Sequence, residues 1–159
     1  MDATTNAARA DKAPAHLWLA GGAGLLWHAW GCYDFLMTNV RDAAYLAQVP
    51  ADRIDYIDGF PAWAVIAWAT SVGCGLIGSI LLLGRLPHAA YAFAFSVLGL
   101  AGMQLYQYGE GTPASMGTAA YWSMRALAWF VALALLGYAR RMRARSRDRA
   151  GEGHTAESS

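Results

Sequence analysis

Charge is spread unevenly along the chain, and that unevenness limits the available folds more than any motif does. From Ala13 to Tyr33 there is no Asp, Glu, Lys or Arg. None lies between Pro61 and Gly84 or between Leu86 and Gly109, and from Gly111 to Ala139 the one charged residue is Arg125. A helix needs roughly 20 mostly apolar residues to cross a bilayer, where no water satisfies its backbone. Four candidate spans follow, at about 16–37, 61–84, 88–109 and 119–139. The chain is 57% hydrophobic and 14% charged, well below the charge of a soluble domain. A soluble bundle would carry a polar stripe at helical spacing on every helix, and the second span has none. The expected fold is all-α, an integral membrane four-helix bundle.

A signal peptide is the alternative for the first span, since Arg9 and Lys12 precede it. Signal h-regions run about 7–15 residues and end at a small-x-small site. This run is longer and its far end reads "WGCYDF"; "AWGC" is no lipoprotein box either, with Ala29 and Trp30 in place of an aliphatic and a small residue. Cys32 and Cys74 fall at depths that differ by on the order of 10 Å at the α-helical rise, too far for a disulfide. Both read as small packing residues.

Orientation follows the Lys/Arg bias of short loops. The arm (1–15), the link bearing Arg85 and the tail (140–159) with Arg140, Arg141, Arg143, Arg145, Arg147 and Arg149 fall on one side, the cytoplasm. The opposite side receives 39–60, with Arg41 and Arg53 against Asp42, Asp52, Asp55 and Asp58, and the link around Glu110. Both termini are expected in the cytoplasm of a bacterial inner membrane. Trp18 and Tyr138 fall at the inner interface; Tyr33, Trp63, Tyr106, Tyr108, Tyr121 and Trp122 fall at the outer one, as a belt or as the wall of a site. Within 39–60, Asn39 can cap a short helix, Pro50 stops it and Ala51–Asp52 starts another, which predicts a helical outer cap. The basic, then Gly/Glu/Ser-rich tail predicts disorder, with its arginines on anionic lipid headgroups. Nucleic-acid binding is not needed to explain them.

"GCGLIG", Gly73 to Gly78, matches a dinucleotide fingerprint, but it sits inside an uncharged span with no strand before it. Ser71, Gly75 and Ser79 repeat every four residues and predict a close helix contact, for which Gly21, Gly24 and Gly31 offer a matching surface. His16, His28 and His88 do not form a mid-depth pair for haem, so no cofactor or metal is expected. Two ionisable groups do lie inside spans. Asp34 is roughly 10 Å and Arg125 roughly 6 Å outward of their helix centres. They have opposite charge and share a leaflet, and intramembrane charges usually pair. Gln104 and Gln107 can bond to either, and Glu110 competes for Arg125. His28, about 120° around the helix from Asp34, is expected outside this cluster.

The runs "WHAWGCYDFLMT", "YLAQVPADRIDYIDGFPAWAVIAW" and "GSILLLGR" resemble a family of short bacterial four-helix inner-membrane proteins that often carry the label "sugar transporter". The resemblance covers about 16–109, through Gly31, Asp34, Met37–Thr38, Tyr45, Pro61, Trp63, Trp68 and Gly78–Ser79. "TSVGCG" departs from the family's more usual Gly-Val-Trp-Gly-like turn. The resemblance implies a four-helix membrane protein and no defined activity. Three functions compete: a non-catalytic accessory or envelope protein acting with a membrane partner or a second copy, a small oligomeric solute transporter, and, disfavoured by the histidines, a haem or quinone redox subunit.

Overall fold

The computed structural model describes residues 15–157, with side chains over 16–144; the arm expected at 1–15 lies almost wholly outside it. Every described element is helical: α1 (Ala15–Asn39), α2 (Ala43–Leu46), α3 (Ala51–Asp58), α4 (Ala62–Leu83), α5 (Ala89–Glu110), a short 3-10 turn (Ala114–Met116) and α6 (Ala119–Glu157). Three stretches are long and apolar enough to cross a membrane: Ala62–Leu83, Ala89–Glu110 and Ala119–Ala144. α1, at 25 residues, is long enough at about 1.5 Å per residue but less apolar, since its cap-end half holds Trp27, His28, Trp30, Tyr33 and Asp34.

Two local expectations change. The backbone does not leave the helix after Ala139; α6 runs on to Glu157, because "RRMRARSRDRA" contains strong helix formers and neither Gly nor Pro. Asn39 does not cap the next helix. It is the last residue of α1, and its amide donates to Phe35 O at 2.7 Å. Asp42 caps α2, accepting from Tyr45 N at 2.8 Å. The reversal between them passes through Arg41 in the left-handed region (φ 59°), and Arg41 then pairs with Asp58, tying the two ends of the cap together.

α4 is the central plank, flanked by α1 and α5, while α6 packs on α5 and scarcely touches α1. The small residues explain this order. A Cβ on Gly99 would lie 2.5 Å from Ala67 O and 2.6 Å from Ser71 N, so α5 meets α4 backbone to backbone. Ser96 Oγ donates to Ser71 O across this seam at 2.6 Å. The expected contact through Ser71, Gly75 and Ser79 is therefore divided. Ser71 faces α5. Ser79 is fully buried beside Gly24, and Gly75 leaves the room that the His28 imidazole fills, 2.0 Å from where its Cβ would be. At the end of the bundle that holds the termini, Leu17, Leu82 and Phe93 are at most 2% exposed and pack with Leu135, Leu136 and Ala139. At the cap end, Ala64, Met103 and Tyr106 pack with Tyr56, Phe60 and Trp68.

Gly99→Ala should lower thermal stability in detergent by about 1–3 kcal/mol, the usual cost of overpacking, because the obstructing atoms are backbone. Gly73, with nothing near its missing Cβ, should gain up to about 1 kcal/mol from the same change through helix propensity. Equal effects at the two positions would show that the α4–α5 seam is not closely packed.

Candidate functional site

Because α1 and α6 meet only toward the terminal end, a space remains between them in the cap half. It is a cavity of about 480 Å³, within the usual size of small-molecule sites. α1 contributes Trp27, His28, Trp30, Gly31 and Asp34, a stripe at helical spacing. α4 adds Trp68, Ser71 and Val72; α5 adds Ser96, Leu100, Met103 and Gln107; α6 adds Tyr121, Met124, Arg125, Ala128 and Ala132. The cap roofs it with Tyr45, Arg53, Ile57 and Phe60, and the 3-10 turn adds Met116. Trp30 and Met124, on opposite sides, are 68% and 59% exposed, so the cavity opens sideways between α1 and α6.

The roof is held by polar and aromatic contacts. Ser115 N donates to Asp52 Oδ2 at 3.0 Å, joining the 3-10 turn to α3, and this bond holds the Asp52 carboxyl below its ordinary range. Phe60 stacks edge-on to Tyr106 at 5.0 Å, and Phe35 to Trp68 at 5.1 Å. Tyr106 is thus part of the core, 8% exposed, and not of the interfacial belt expected for it; Tyr33, Trp63, Tyr108 and Trp122 are exposed, as belt residues are.

The structure rearranges the expected polar cluster. Asp34 and Arg125 face the same cavity, but they do not pair. Asp34 accepts a hydrogen bond from the Tyr45 hydroxyl, while Arg41 pairs with Asp58. The reason is reach: α2 folds back over the end of α1 and brings a neutral donor to Asp34, while α6 stands across the open cavity. Desolvation, then the bond to Asp34, push the Tyr45 hydroxyl up to about 12, against the nearby Arg53. Tyr45 therefore stays a donor at any working pH.

Arg125 gives its Nε–H to Gln104 Oε1 at 3.2 Å, an oxygen that Trp129 Nε1 also approaches, at 3.4 Å. Gln107 Nε2 donates to the Tyr121 hydroxyl at 2.9 Å. Glu110 is exposed at the end of α5 and, among the described residues, takes no part in an ion pair. Three buried polar atoms on the cavity lining have no partner: Arg53 Nε, Arg125 Nη2 and Gln107 Oε1. Arg53, in α3 of the cap, joins the site unforeseen, since the expected cap carried no assignment of which side chains it turns toward the bundle. His28 lines the same cavity from another part of the α1 surface, with no hydrogen bond to the polar cluster among the described residues. Its Nδ1 bonds to Gly24 O at 2.8 Å. His16 stacks on Tyr138 at 5.8 Å between centroids, Cys32 and Cys74 are free thiols, and no group of three metal-ligating side chains converges among the described residues.

Comparison with protein families, with curated proteins and with solved structures finds no match to the chain.

The geometry predicts which pair is coupled. Tyr45→Phe should destabilise the protein by about 1.5–3 kcal/mol, the range for a hydrogen bond to a charged group. In a double-mutant cycle, Asp34→Asn should recover part of that loss. Asp34→Asn combined with Arg125→Gln should be additive, as for residues without a shared contact. Coupling in the second cycle instead of the first would restore the direct ion pair.

Proposed function

We propose that the chain is a four-helix bacterial inner-membrane protein, both termini cytoplasmic, that works without catalysis by holding a ligand in its cap-side cavity as part of a membrane assembly. Support for α1 as the fourth membrane helix comes from its outward face: Leu19, Leu26 and Trp30 are 73%, 74% and 68% exposed. They continue the apolar belt of Ile66, Ile77, Leu98, Leu105, Phe130 and Leu133 on the other three helices. An exposed apolar surface of this extent suits lipid and not water. Orientation rests on the basic end of α6 and on Arg85, against the acidic cap. The tail arginines suit anionic headgroups there.

The observation that carries the reading is that the cavity is one-sided. Residues that keep unpartnered polar atoms line its cap half, and the terminal end is closed by Leu17, Leu82 and Phe93. Such a shape favours holding over conduction. Transport is the second reading, favoured by Arg125 and His28 inside the bundle; it requires the closed end to open.

Two experiments test this. A fluorescent reporter that matures only in the cytoplasm should be bright at Ser159 and dark when inserted at 47–48; the reverse overturns the topology. With Cys32 and Cys74 replaced by Ala, Met124→Cys at the mouth of the cavity should react with a membrane-impermeant thiol reagent supplied from the cap side alone. Reaction from the tail side points to alternating access. Failure to react from the cap side removes the hydrated cavity.

A further inference from the structure

The polarity of the cavity is graded along the bundle, and the grade specifies a ligand. Toward the cap lie Arg53, Gln107, Tyr121 and Arg125; deeper in, the walls are Trp27, Val72, Leu100 and Ala132. Polar groups at the deep end are already occupied, Ser96 on Ser71 and His28 on Gly24. Near the cap the balance is different. Two guanidinium groups border the cavity against one carboxylate, which is bonded to the neutral Tyr45 hydroxyl, so the lining holds one more cation than anion. Among the described residues neither arginine forms an ion pair, and each keeps a buried N–H without an acceptor.

A cation in a low-dielectric site without a counter-charge is costly, and charged groups buried in membranes normally pair. An anion is the acceptor that suits both groups best, because the one neutral oxygen of Gln104 serves Arg125 Nε and leaves the charge uncompensated. Guanidinium groups match carboxylate and phosphate oxygens in geometry. The sideways opening between α1 and α6 gives an apolar body a way in from the bilayer.

Resting on the cavity reading above, we propose that this site binds a single-chain anionic amphiphile, its carboxylate or phosphate between Arg53 and Arg125 and its chain running along Trp27 and Leu100 toward Ala132. A headgroup hydroxyl, where present, donates to Gln107 Oε1. The ligand enters laterally from the leaflet on the cap side. Two sources share this chemistry, a free fatty acid and a lysophospholipid.

Trp27, Trp30 and Trp68 line the cavity, so bromine on the ligand chain should quench native fluorescence. Purified protein in neutral detergent is titrated with stearate brominated at mid-chain, with lysophosphatidylglycerol carrying the same chain, and with the methyl ester of the brominated acid as the uncharged control. At least one anion should quench saturably at one per chain, while the ester quenches only in proportion to its concentration in the micelle. Saturation by the acid alone assigns the carboxylate source, and by the lysolipid alone the phosphate source with its hydroxyls. Arg53→Gln and Arg125→Gln should each raise the midpoint at least tenfold, and Arg125→Lys should restore part of the loss. Should Arg125→Gln not fold, Arg53→Gln in the cap decides alone. Equal behaviour of acid, lysolipid and ester, or an unchanged midpoint in Arg53→Gln, overturns the proposal. Because the cysteine labelling does not depend on the ligand, it still reports whether the cavity is open.

Discussion

The absence of one side-chain carbon on α5 governs the arrangement of the bundle. Gly99 lets that helix approach the carbonyl of Ala67 and the amide of Ser71, a separation any larger residue forbids. In a bilayer apolar contact between helices gains little over contact with lipid, so close packing and interhelical hydrogen bonds must hold them. The Gly99 seam supplies the first and Ser96 on Ser71 the second. On its other face α4 uses Gly75 and Ser79 to hold α1. Both neighbours are thereby drawn against α4, and α6 is left seated on α5. The ring does not close at the cap end, and the cavity is the geometric remainder.

The cap then becomes part of the site and not a lid laid over it. Tyr45 answers the charge of Asp34, and Asp52 holds the second connection through Ser115. Phe60 reaches down between Tyr106 and Trp68. These contacts place Arg53 over the same space that Arg125 faces from α6. Two residues far apart in sequence, one in a cap helix and one in α6, come to share an electrostatic problem that neither solves for the other.

α4 and α5 were legible because the chain is free of charge for about 20 residues at a time, between Asp58 and Arg85 and between Arg85 and Glu110; α1 runs on through Asp34 and α6 through Arg125 and Arg140, so charge does not mark their ends. The two short cap helices were legible from Pro50 and the apolar spacing. The partner of Asp34 was not. Opposite charge and similar depth pointed to Arg125, yet pairing needs adjacent helices, and nothing in the sequence says that α1 and α6 stand apart. Tyr45 is only 11 residues from Asp34. A turn through a left-handed Arg41 carries the chain back to it, and arginine does not announce such a conformation as glycine would. The Ser71, Gly75 and Ser79 repeat shows the same limit. The spacing marks a surface without bulk, but it cannot say that one member faces α5 and the others α1.

Whether such a cavity binds or conducts depends on its closed end. Opening a water path there would expose Leu17, Leu82 and Phe93, which at about 1.5–3 kcal/mol for each large side chain sets on the order of 5–9 kcal/mol against the open form. A ligand can shift that balance only by the difference in its affinity for the two forms. A small solute bound in the cap half would have to gain most of that difference from contacts the closed form does not offer. An amphiphile arriving from the side needs none of it: its chain replaces lipid against Trp27 and Leu100, and its anion meets two guanidinium groups already in place. The closed end is therefore an obstacle to alternating access in one copy and no obstacle to lateral binding, which is the sense in which this fold suits a holder more than a channel.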